Sequence, residues 1–233
     1  MMPQIEENDS GFTSLWSTKT QLECGTLFLN PKFKDDIFFD KLTNVTCISE
    51  KMIDETILQF QKYNSKPFLY SLNYKEFERF LQQRGFVYSD TQHVLRKRTT
   101  LSPKPSTIKI SHNNYSVWTK IFCEAYDCIE WAETINSVVK NSLSSAEYYV
   151  DKSSSSCMVL YEKNSILGLY CLGTLPNERN QGNAASLINF ALHKVKEKGL
   201  DYLMLETYEK DNLLNFYSKL GFERIYYKTV YTI

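Results

Sequence analysis

An apolar segment, a short polar turn and an amphipathic stretch follow one another over residues 166–196, and this succession constrains the fold more than any other feature. Residues 166–172 are short and apolar, as a buried strand is. Residues 185–196 carry apolar side chains at helical spacing, namely Leu187, Ile188, Ala191, Leu192 and Val195. The pattern predicts a strand, a tight turn over residues 174–184 and a helix.

The turn between the two elements is suited to bind an anion such as phosphate. The first N–H groups of a helix lack internal partners, and the helix dipole places positive potential there. Gly182 permits close approach of the backbone to a ligand, Ala184 is too small to obstruct it, and Arg179 adds a positive charge. The turn has neither a Walker loop nor a dinucleotide-binding fingerprint. A plain strand-to-helix connection is the alternative interpretation.

The chain has no net charge, since its 233 residues include 27 basic and 27 acidic side chains. This balance argues against a general nucleic-acid or membrane-surface binder. A length of this order allows one large domain or two small ones. The sequence shows no apolar run typical of secretion or membrane crossing, so we expect a cytoplasmic protein without a membrane partner.

Cysteine and histidine residues do not indicate a metal site. The cysteines lack the paired short spacings of zinc ligands, and a chain of this length does not require disulfides, so we expect free and mostly buried thiols at Cys24, Cys47, Cys123, Cys128, Cys157 and Cys171. The histidines are too dispersed for a metal site or a catalytic triad: His93, His112 and His193. No metal is predicted.

The first part of the chain begins with a polar segment, residues 1–25, which we interpret as an irregular lead-in. Strands are predicted at residues 26–29, 45–48 and 67–72, helices at 51–63 and 74–83, and a further strand near residue 86. Prolines and serines in residues 99–106 predict a linker. The boundaries follow as a first domain at 26–98 and a second at 107–233.

A strand, a helix and a Gly-Phe pair that leads into a new strand occur twice. Aligning Gly85 with Gly221 brings the two copies into register, and we infer a degenerate internal repeat. Tyr217 in the second copy is replaced by Leu81 in the first. We therefore expect the second copy to contain the catalytic residues and the first copy to have a structural role.

The second domain is predicted as a strand, two helices, three strands, a helix, a strand, a helix and a last strand. The two helices lie near residues 115–126 and 131–143, and the serine-rich residues 152–156 form a flexible hairpin connection. This mixture predicts the α+β class with a mixed sheet.

Residues 107–233 resemble the GNAT superfamily of acyl-CoA-dependent N-acyltransferases. The resemblance rests on the element order, on the Arg179-x-x-Gly182-x-Ala184 turn and on residues 216–222, Phe-Tyr-Ser-Lys-Leu-Gly-Phe. It implies the GNAT fold in a tandem or partial-tandem arrangement, with residues 26–98 as a decayed copy.

The resemblance also implies which residues hold the acyl donor. In that family the amides of the turn bind the pyrophosphate of coenzyme A, which implies this role for Arg179, Asn180, Gln181, Gly182, Asn183, Ala184 and Ala185. The preceding strand pairs with the pantetheine arm and polarises the thioester carbonyl, which implies this role for Leu172, Gly173 and Thr174. Lys210 replaces an asparagine that the family often has, and we expect Asn212 to substitute for it.

Two catalytic roles follow from the same resemblance. The tyrosine before the Leu-Gly-Phe signature commonly protonates the leaving thiolate, and Tyr217 stands there; a packing tyrosine is the alternative. Glu206 is the candidate general base, with a solvent-facing strand-end carboxylate as the alternative. Glu124 and Glu130 are weaker candidates and are more simply surface charges.

The predicted function is transfer of an acetyl group from acetyl-CoA to a primary amine of a small molecule, amino acid or peptide by direct attack in a ternary complex. The helical pair at residues 115–143 and the N-terminal half are expected to form the acceptor site. Trp118, Tyr126 and Trp131 are candidate lining residues, with aromatic core packing expected instead for at least one of them. The alternatives are a catalytically silent CoA-binding or interaction module and an aminoacyl-tRNA-dependent transferase. The neutral charge argues mildly against a large RNA ligand.

Overall fold

The computed structural model describes residues 2–99 and 105–233, in which helices and strands alternate. Its α-helices are α1 (Met2–Trp16), α2 (Glu50–Lys62), α3 (Lys75–Gln83), α4 (Tyr115–Tyr126), α5 (Ala132–Ser142), α6 (Asn183–Glu197) and α7 (Leu214–Lys219). Its strands are β1 (Thr18–Gln21), β2 (Thr26–Leu29), β3 (Lys41–Thr43), β4 (Leu69–Ser71), β5 (Val87–Lys97), β6 (Thr107–Lys109), β7 (Glu147–Asp151), β8 (Ser156–Lys163), β9 (Ile166–Thr174), β10 (Tyr202–Tyr208) and β11 (Glu223–Thr232). Short 3₁₀ helices lie at Ile129–Trp131, Pro176–Glu178 and Glu209–Asp211. The predicted α+β class is confirmed.

The described residues divide into two compact units, and each is assembled from separate parts of the chain. The first unit is drawn from Met1–Phe12, Arg96–Glu206 and Leu220–Glu223, and the second from Thr13–Leu95, Thr207–Lys219 and Arg224–Ile233. The domain boundaries predicted at 26–98 and 107–233 stay a prediction. The predicted linker at 99–106 lies mostly outside the described residues.

The first unit contains a mixed sheet with the strand order β10-β9-β8-β7-β6. Strands β9 and β10 are parallel, whereas β8 pairs antiparallel with β9 and with β7, and β7 pairs antiparallel with β6. Helix α6 buries the predicted apolar face, which consists of Leu187, Ile188, Ala191, Leu192 and Val195. The element order predicted from residue 107 onward is confirmed.

The irregular lead-in expected at the start of the chain is wrong for Met2–Trp16, which form α1. Ile5, Phe12 and Trp16 are buried, and their spacings of seven and four residues fit one helix face. Within the first unit, the buried Asn8 side chain donates to the backbone oxygen of Ile166 at 3.2 Å and accepts from the Tyr170 hydroxyl at 2.8 Å. These tertiary contacts stabilise a segment whose polar composition disfavours a helix.

The second unit contains strands in the order β1-β2-β3-β4-β11-β5. Its core is built from apolar side chains of the strands, α2 and α3, including Leu27, Leu42, Ile53, Phe60, Leu69, Phe77 and Leu81. The strand predicted at residues 45–48 is wrong, because the strand is β3 and Asn44 takes a left-handed conformation with φ 54° immediately after it. The β-branched residues that suggested a strand lie in the connection to α2.

The two Gly-Phe sites that define the predicted repeat share a local backbone geometry. Gly85 follows α3 with φ 85°, and Gly221 follows α7 with φ 81°. A left-handed residue directly after a helix is typically glycine, because glycine has no Cβ to obstruct it. The repeat itself stays a prediction.

Cys24 and Cys47 form a disulfide in the second unit, so the expectation of free thiols is wrong for these two residues. Their Cα atoms lie 5.2 Å apart, although 23 positions separate them in sequence. Only the fold brings them together, and no spacing motif marks the pair. The expectation is confirmed for the free cysteines, of which Cys123, Cys128 and Cys157 are buried and Cys171 is half-buried.

We expect reduction of this disulfide to destabilise the protein. Closing a loop over the observed separation of 23 positions contributes about 3 kcal/mol in the chain-entropy model. Thermal unfolding with and without dithiothreitol should therefore show a Tm lower by about 5–10 °C for the reduced protein. The double variant Cys24→Ser/Cys47→Ser should have the lower Tm and no response to the reductant. Equal values for oxidised and reduced wild type would contradict the prediction.

Candidate functional site

Strand β9 leaves regular pairing near its carboxyl end. Against β8 the register shifts, because Cys157 pairs with Gly173 while Val159 pairs with Tyr170, so β9 holds one extra residue. Cys171 lies in this interval with φ 52°, which is uncommon for a residue with a Cβ. The shift and the positive φ together define a β-bulge, a feature that is frequent next to active sites.

Strands β9 and β10 separate at the same level. In the described part of the first unit their parallel pairing runs from Ile166↔Tyr202 to Leu169↔Leu205. Strand β9 continues to Thr174 beyond the last pair. The predicted backbone residues Leu172, Gly173 and Thr174 therefore lie past the fork, where an extended ligand is able to pair with them.

The end of α4 packs closely on this part of β9. The Tyr126 hydroxyl donates to the backbone oxygen of Leu172 at 3.0 Å. A Cβ added at Gly173 would lie 2.9 Å from both the Ala125 Cβ and a Tyr126 ring carbon. A larger residue would force the helix and the strand apart, so glycine is required at this position.

The turn after β9 presents backbone donors at the start of α6. Gly182 is the N-cap residue with φ 86°, and the first helical hydrogen bond runs from Ser186 N to Gly182 O. Gly182 has no side chain that could accept a hydrogen bond from the N–H groups of Asn183, Ala184 or Ala185. A Cβ at Gly182 would meet no atom within 4 Å. The helix therefore begins with donors that its N-cap residue does not satisfy, at the positive end of the helix dipole.

Side chains of the turn bond to the protein. The Arg179 guanidinium donates to Thr174 O at 3.3 Å and to Ala125 O at 3.0 Å. Gln181 Nε2 donates to Asn177 O at 3.3 Å, and Asn183 Nδ2 donates to the Ser155 hydroxyl at 3.0 Å. The cofactor-binding roles predicted for residues 179–185 stay a prediction, and they rest on the backbone more than on these side chains.

Glu206 directly follows the last β9–β10 pair and is half-buried. Its backbone therefore lies at the level where the two strands diverge, and its role as general base stays a prediction. Of the weaker candidates, Glu124 is half-buried and forms an ion pair with Lys120 at 3.9 Å, and Glu130 is exposed.

Asn212 and Tyr217 belong to the second unit. Asn212 is exposed and follows the 3₁₀ helix Glu209–Asp211 with φ 55°. Tyr217 lies on α7 and is buried, and this burial together with the nearby Asp211 raises the pKa of its hydroxyl above the usual value. The hydroxyl is protonated at neutral pH, as a general acid must be. Both functional roles stay predictions.

The aromatic residues predicted to line an acceptor site differ in accessibility. Trp118 is completely buried, and its indole N–H donates to Met158 O at 3.0 Å. Trp118 is therefore a core residue and does not line an acceptor site, in agreement with the expectation that at least one of the three aromatic residues packs in the core. Tyr126 is 49% exposed and Trp131 is half-buried, so both are accessible to a ligand.

Two polar residues near the turn were missed by the sequence interpretation. Asp151 is the last residue of β7 and Ser155 lies in the β7–β8 connection. Asp151 lines a cavity of about 340 Å³ together with Asn183 and Ser186 of α6. An aspartate followed by serines is a typical signal for a side-chain-stabilised turn, and the serine run was interpreted only as a flexible connection.

Residues 127–222 match the model of the acetyltransferase (GNAT) family. Residues 127–222 therefore belong to a GNAT-family domain. The matched segment includes the bulged strand β9, the turn and the start of α6. The recognition of this superfamily from the sequence is confirmed.

Solved structures of GNAT proteins share the fold over nearly the whole chain. The GCN5-related N-acetyltransferase from Kribbella flavida has a TM-score of 0.69 at 14% identity, with 98% of this chain and 93% of that chain covered. The GNAT-family acetyltransferase from Colwellia psychrerythraea has a TM-score of 0.57 at 11% identity, with coverages of 100% and 96%. A tandem GNAT protein from the clavulanic acid biosynthesis pathway has a TM-score of 0.61 at 10% identity, with coverages of 98% and 95%. At these identities the likeness shows the fold alone.

A search of curated proteins found no significant match. Among residues 2–99 and 105–233, no helix is both long enough and apolar enough to cross a bilayer. In the same residues no three His, Cys, Asp or Glu side chains are grouped in a way that holds a metal ion.

Proposed function

We propose that this GNAT protein transfers an acetyl group from acetyl-CoA to a primary amine of a small molecule, amino acid or peptide. The observation that carries the proposal is the start of α6, where the N-cap residue Gly182 has no side chain to occupy the first N–H groups and a Cβ would meet no atom within 4 Å. Such a helix start binds anions, because its orphan donors and its dipole act together. The family match over residues 127–222 supports the diphosphate of coenzyme A as that anion.

The bulge in β9 supports the same proposal. Past the fork, residues Leu172, Gly173 and Thr174 are no longer paired with β10, and we propose that an extended pantetheine arm pairs with β9 on this side. A backbone N–H aimed at the thioester carbonyl would stabilise the negative charge that develops on its oxygen. The acyl donor supplies an activated acetyl group, and the protein supplies its alignment.

The proposed reaction is direct attack in a ternary complex. The nitrogen of a neutral acceptor amine forms a bond to the carbonyl carbon while the carbon–sulfur bond breaks. Glu206 is the proposed base that takes a proton from the amine, and Tyr217 is the proposed acid that protonates the departing sulfur. The rate enhancement comes mainly from holding the two substrates together and from polarising the carbonyl.

An assay of CoA release and CoA binding tests this proposal. The purified protein is incubated with acetyl-CoA, a thiol reporter and a panel of small amines, amino acids and peptides, and CoA affinity is measured by calorimetry. We expect binding of CoA and amine-dependent thiol release with at least one acceptor class. A reaction without acetyl-CoA corrects for the half-buried Cys171 thiol, which is able to react with the reporter.

Other outcomes separate the alternatives. Tight CoA binding without release for any acceptor would identify a silent CoA-binding module. Transfer from an aminoacyl-tRNA supplied in place of acetyl-CoA would identify the other donor class. Absence of CoA binding would overturn the proposal.

A further inference from the structure

A buried carboxylate organises the connection between β7 and β8. Asp151 accepts hydrogen bonds from the backbone N–H groups of Ser153 at 3.1 Å, Ser155 at 2.8 Å and Ser156 at 2.6 Å. Burial raises the pKa of Asp151, but the Ser153 hydroxyl and these backbone donors more than offset it and hold the pKa below its usual value. The serine run is therefore an ordered turn around a charged acceptor.

Ser155 connects this carboxylate to the turn before α6. Its hydroxyl lies 3.3 Å from an Asp151 carboxylate oxygen and 3.0 Å from Asn183 Nδ2. The same Asn183 amide donates to Glu178 O at 3.3 Å, and Leu175 N donates to Ser155 O at 2.9 Å. One serine thus bonds to both ends of the turn, at Leu175 and at Asn183.

The turn needs such support because its backbone is unusual. Asn180 and Gly182 both have left-handed conformations, with φ values of 63° and 86°. Glycine is conformationally free, so the unliganded turn would populate several conformations without further contacts. If a ligand requires one of these conformations, its apparent affinity is reduced to the fraction of molecules that adopt it. Contacts that fix the turn therefore raise the affinity without touching the ligand.

We propose that Asp151, Ser155 and Asn183 are positioning residues that hold the turn at residues 175–183 in the conformation that binds the diphosphate of coenzyme A. This inference rests on the proposed function. It gives the Asn183 side chain a role other than direct cofactor contact, since its amide group bonds to Ser155 and to Glu178 within the first unit.

The test measures CoA affinity in Ser155→Ala, Asn183→Ala and the double variant by calorimetry. Each single change should raise the Kd for CoA about tenfold, which corresponds to about 1.4 kcal/mol. The Kd of the double variant should be at most about twofold above the Kd of either single variant, because both changes break the same hydrogen bond between Ser155 and Asn183. Pantetheine, which lacks the diphosphate, should bind all variants as it binds the wild type.

Lys163→Ala is the control, because Lys163 is exposed at the opposite end of β8 and does not line the cavity beside Asn183. It should bind CoA like the wild type. If the wild type binds CoA and both single variants bind it with the wild-type Kd, the inference is overturned while the proposed function stands. An equal loss of CoA and pantetheine affinity would show general damage to the unit and would also overturn the inference. Failure of wild type to bind CoA would instead reject the proposed function.

Discussion

Replacing Gly182 by aspartate is expected to raise the Kd for CoA at least about 100-fold, the largest binding effect that the site predicts. The new carboxylate would stand at the N-cap of α6, where no atom of the chain lies within 4 Å of the Cβ position. An aspartate there accepts hydrogen bonds from the N–H groups of the first turn. It would therefore occupy the donors proposed for the diphosphate and repel its negative charge. Calorimetry with purified Gly182→Asp measures this directly.

Gly199→Asp is the matched control for that change. Gly199 follows α6 at its other end, has φ 64° and also has no atom within 4 Å of its Cβ position. Both variants place the same charge in open space and the same side chain in a left-handed conformation, which costs about 1–2 kcal/mol. Gly199→Asp should lose thermal stability while its Kd for CoA stays within about twofold of wild type. If Gly182→Asp also retains wild-type affinity, the assignment of the turn is wrong.

Local signals account for what the sequence predicted well. Helix α6 and the strand before it follow from apolar periodicity over a few residues, and the structure buries Leu187, Ile188 and Val195 as that periodicity requires. Gly182 was marked by its place between these elements. The left-handed conformation of Gly182 and the open space beside it agree with the prediction that glycine permits a tight turn there.

Non-local contacts account for what the sequence did not predict. The bulge at Cys171 depends on how β9 pairs with β8, which no single segment encodes. Helix α1 was missed because its polar residues disfavour a helix, yet Asn8 is buried and bonded to the backbone oxygen of Ile166. The Cys24–Cys47 disulfide likewise depends on tertiary proximity. Amino-acid composition does not predict a β-bulge, a helix held by tertiary contacts or an individual disulfide.

The direction in which a side chain points is a further property that the sequence does not predict. The resemblance assigns a role to the backbone amide of Asn183 and none to its side chain. The structure shows that the side-chain amide bonds to Ser155, a residue 28 positions earlier in the chain. The aspartate followed by serines indicates a turn around Asp151, but it does not indicate that Ser155 of this turn bonds to Asn183. Roles that depend on orientation required the folded structure.

Changing Tyr217 to phenylalanine is expected to lower kcat about 100-fold with little change in CoA affinity. Phenylalanine keeps the ring that is buried on α7 and removes only the hydroxyl. Burial raises the pKa of this hydroxyl, which keeps it protonated but also makes it a weaker acid. General acid catalysis contributes about 10²–10⁴-fold, and a weak acid belongs at the low end of that range. Single-substrate kinetics with the best acceptor from the amine panel measure the effect.

Tyr231→Phe distinguishes catalysis from packing, because Tyr231 is another buried tyrosine of the second unit whose pKa burial raises. Both variants lose one buried hydroxyl, so both should show a modest loss of stability. Only Tyr217→Phe should lose turnover. The loss should be uniform from about pH 6 to about pH 9, because a tyrosine with a raised pKa stays protonated across this interval and removing it deletes no titration from the rate profile. Full activity of Tyr217→Phe would make Tyr217 a packing residue and would require another acid for the departing thiolate.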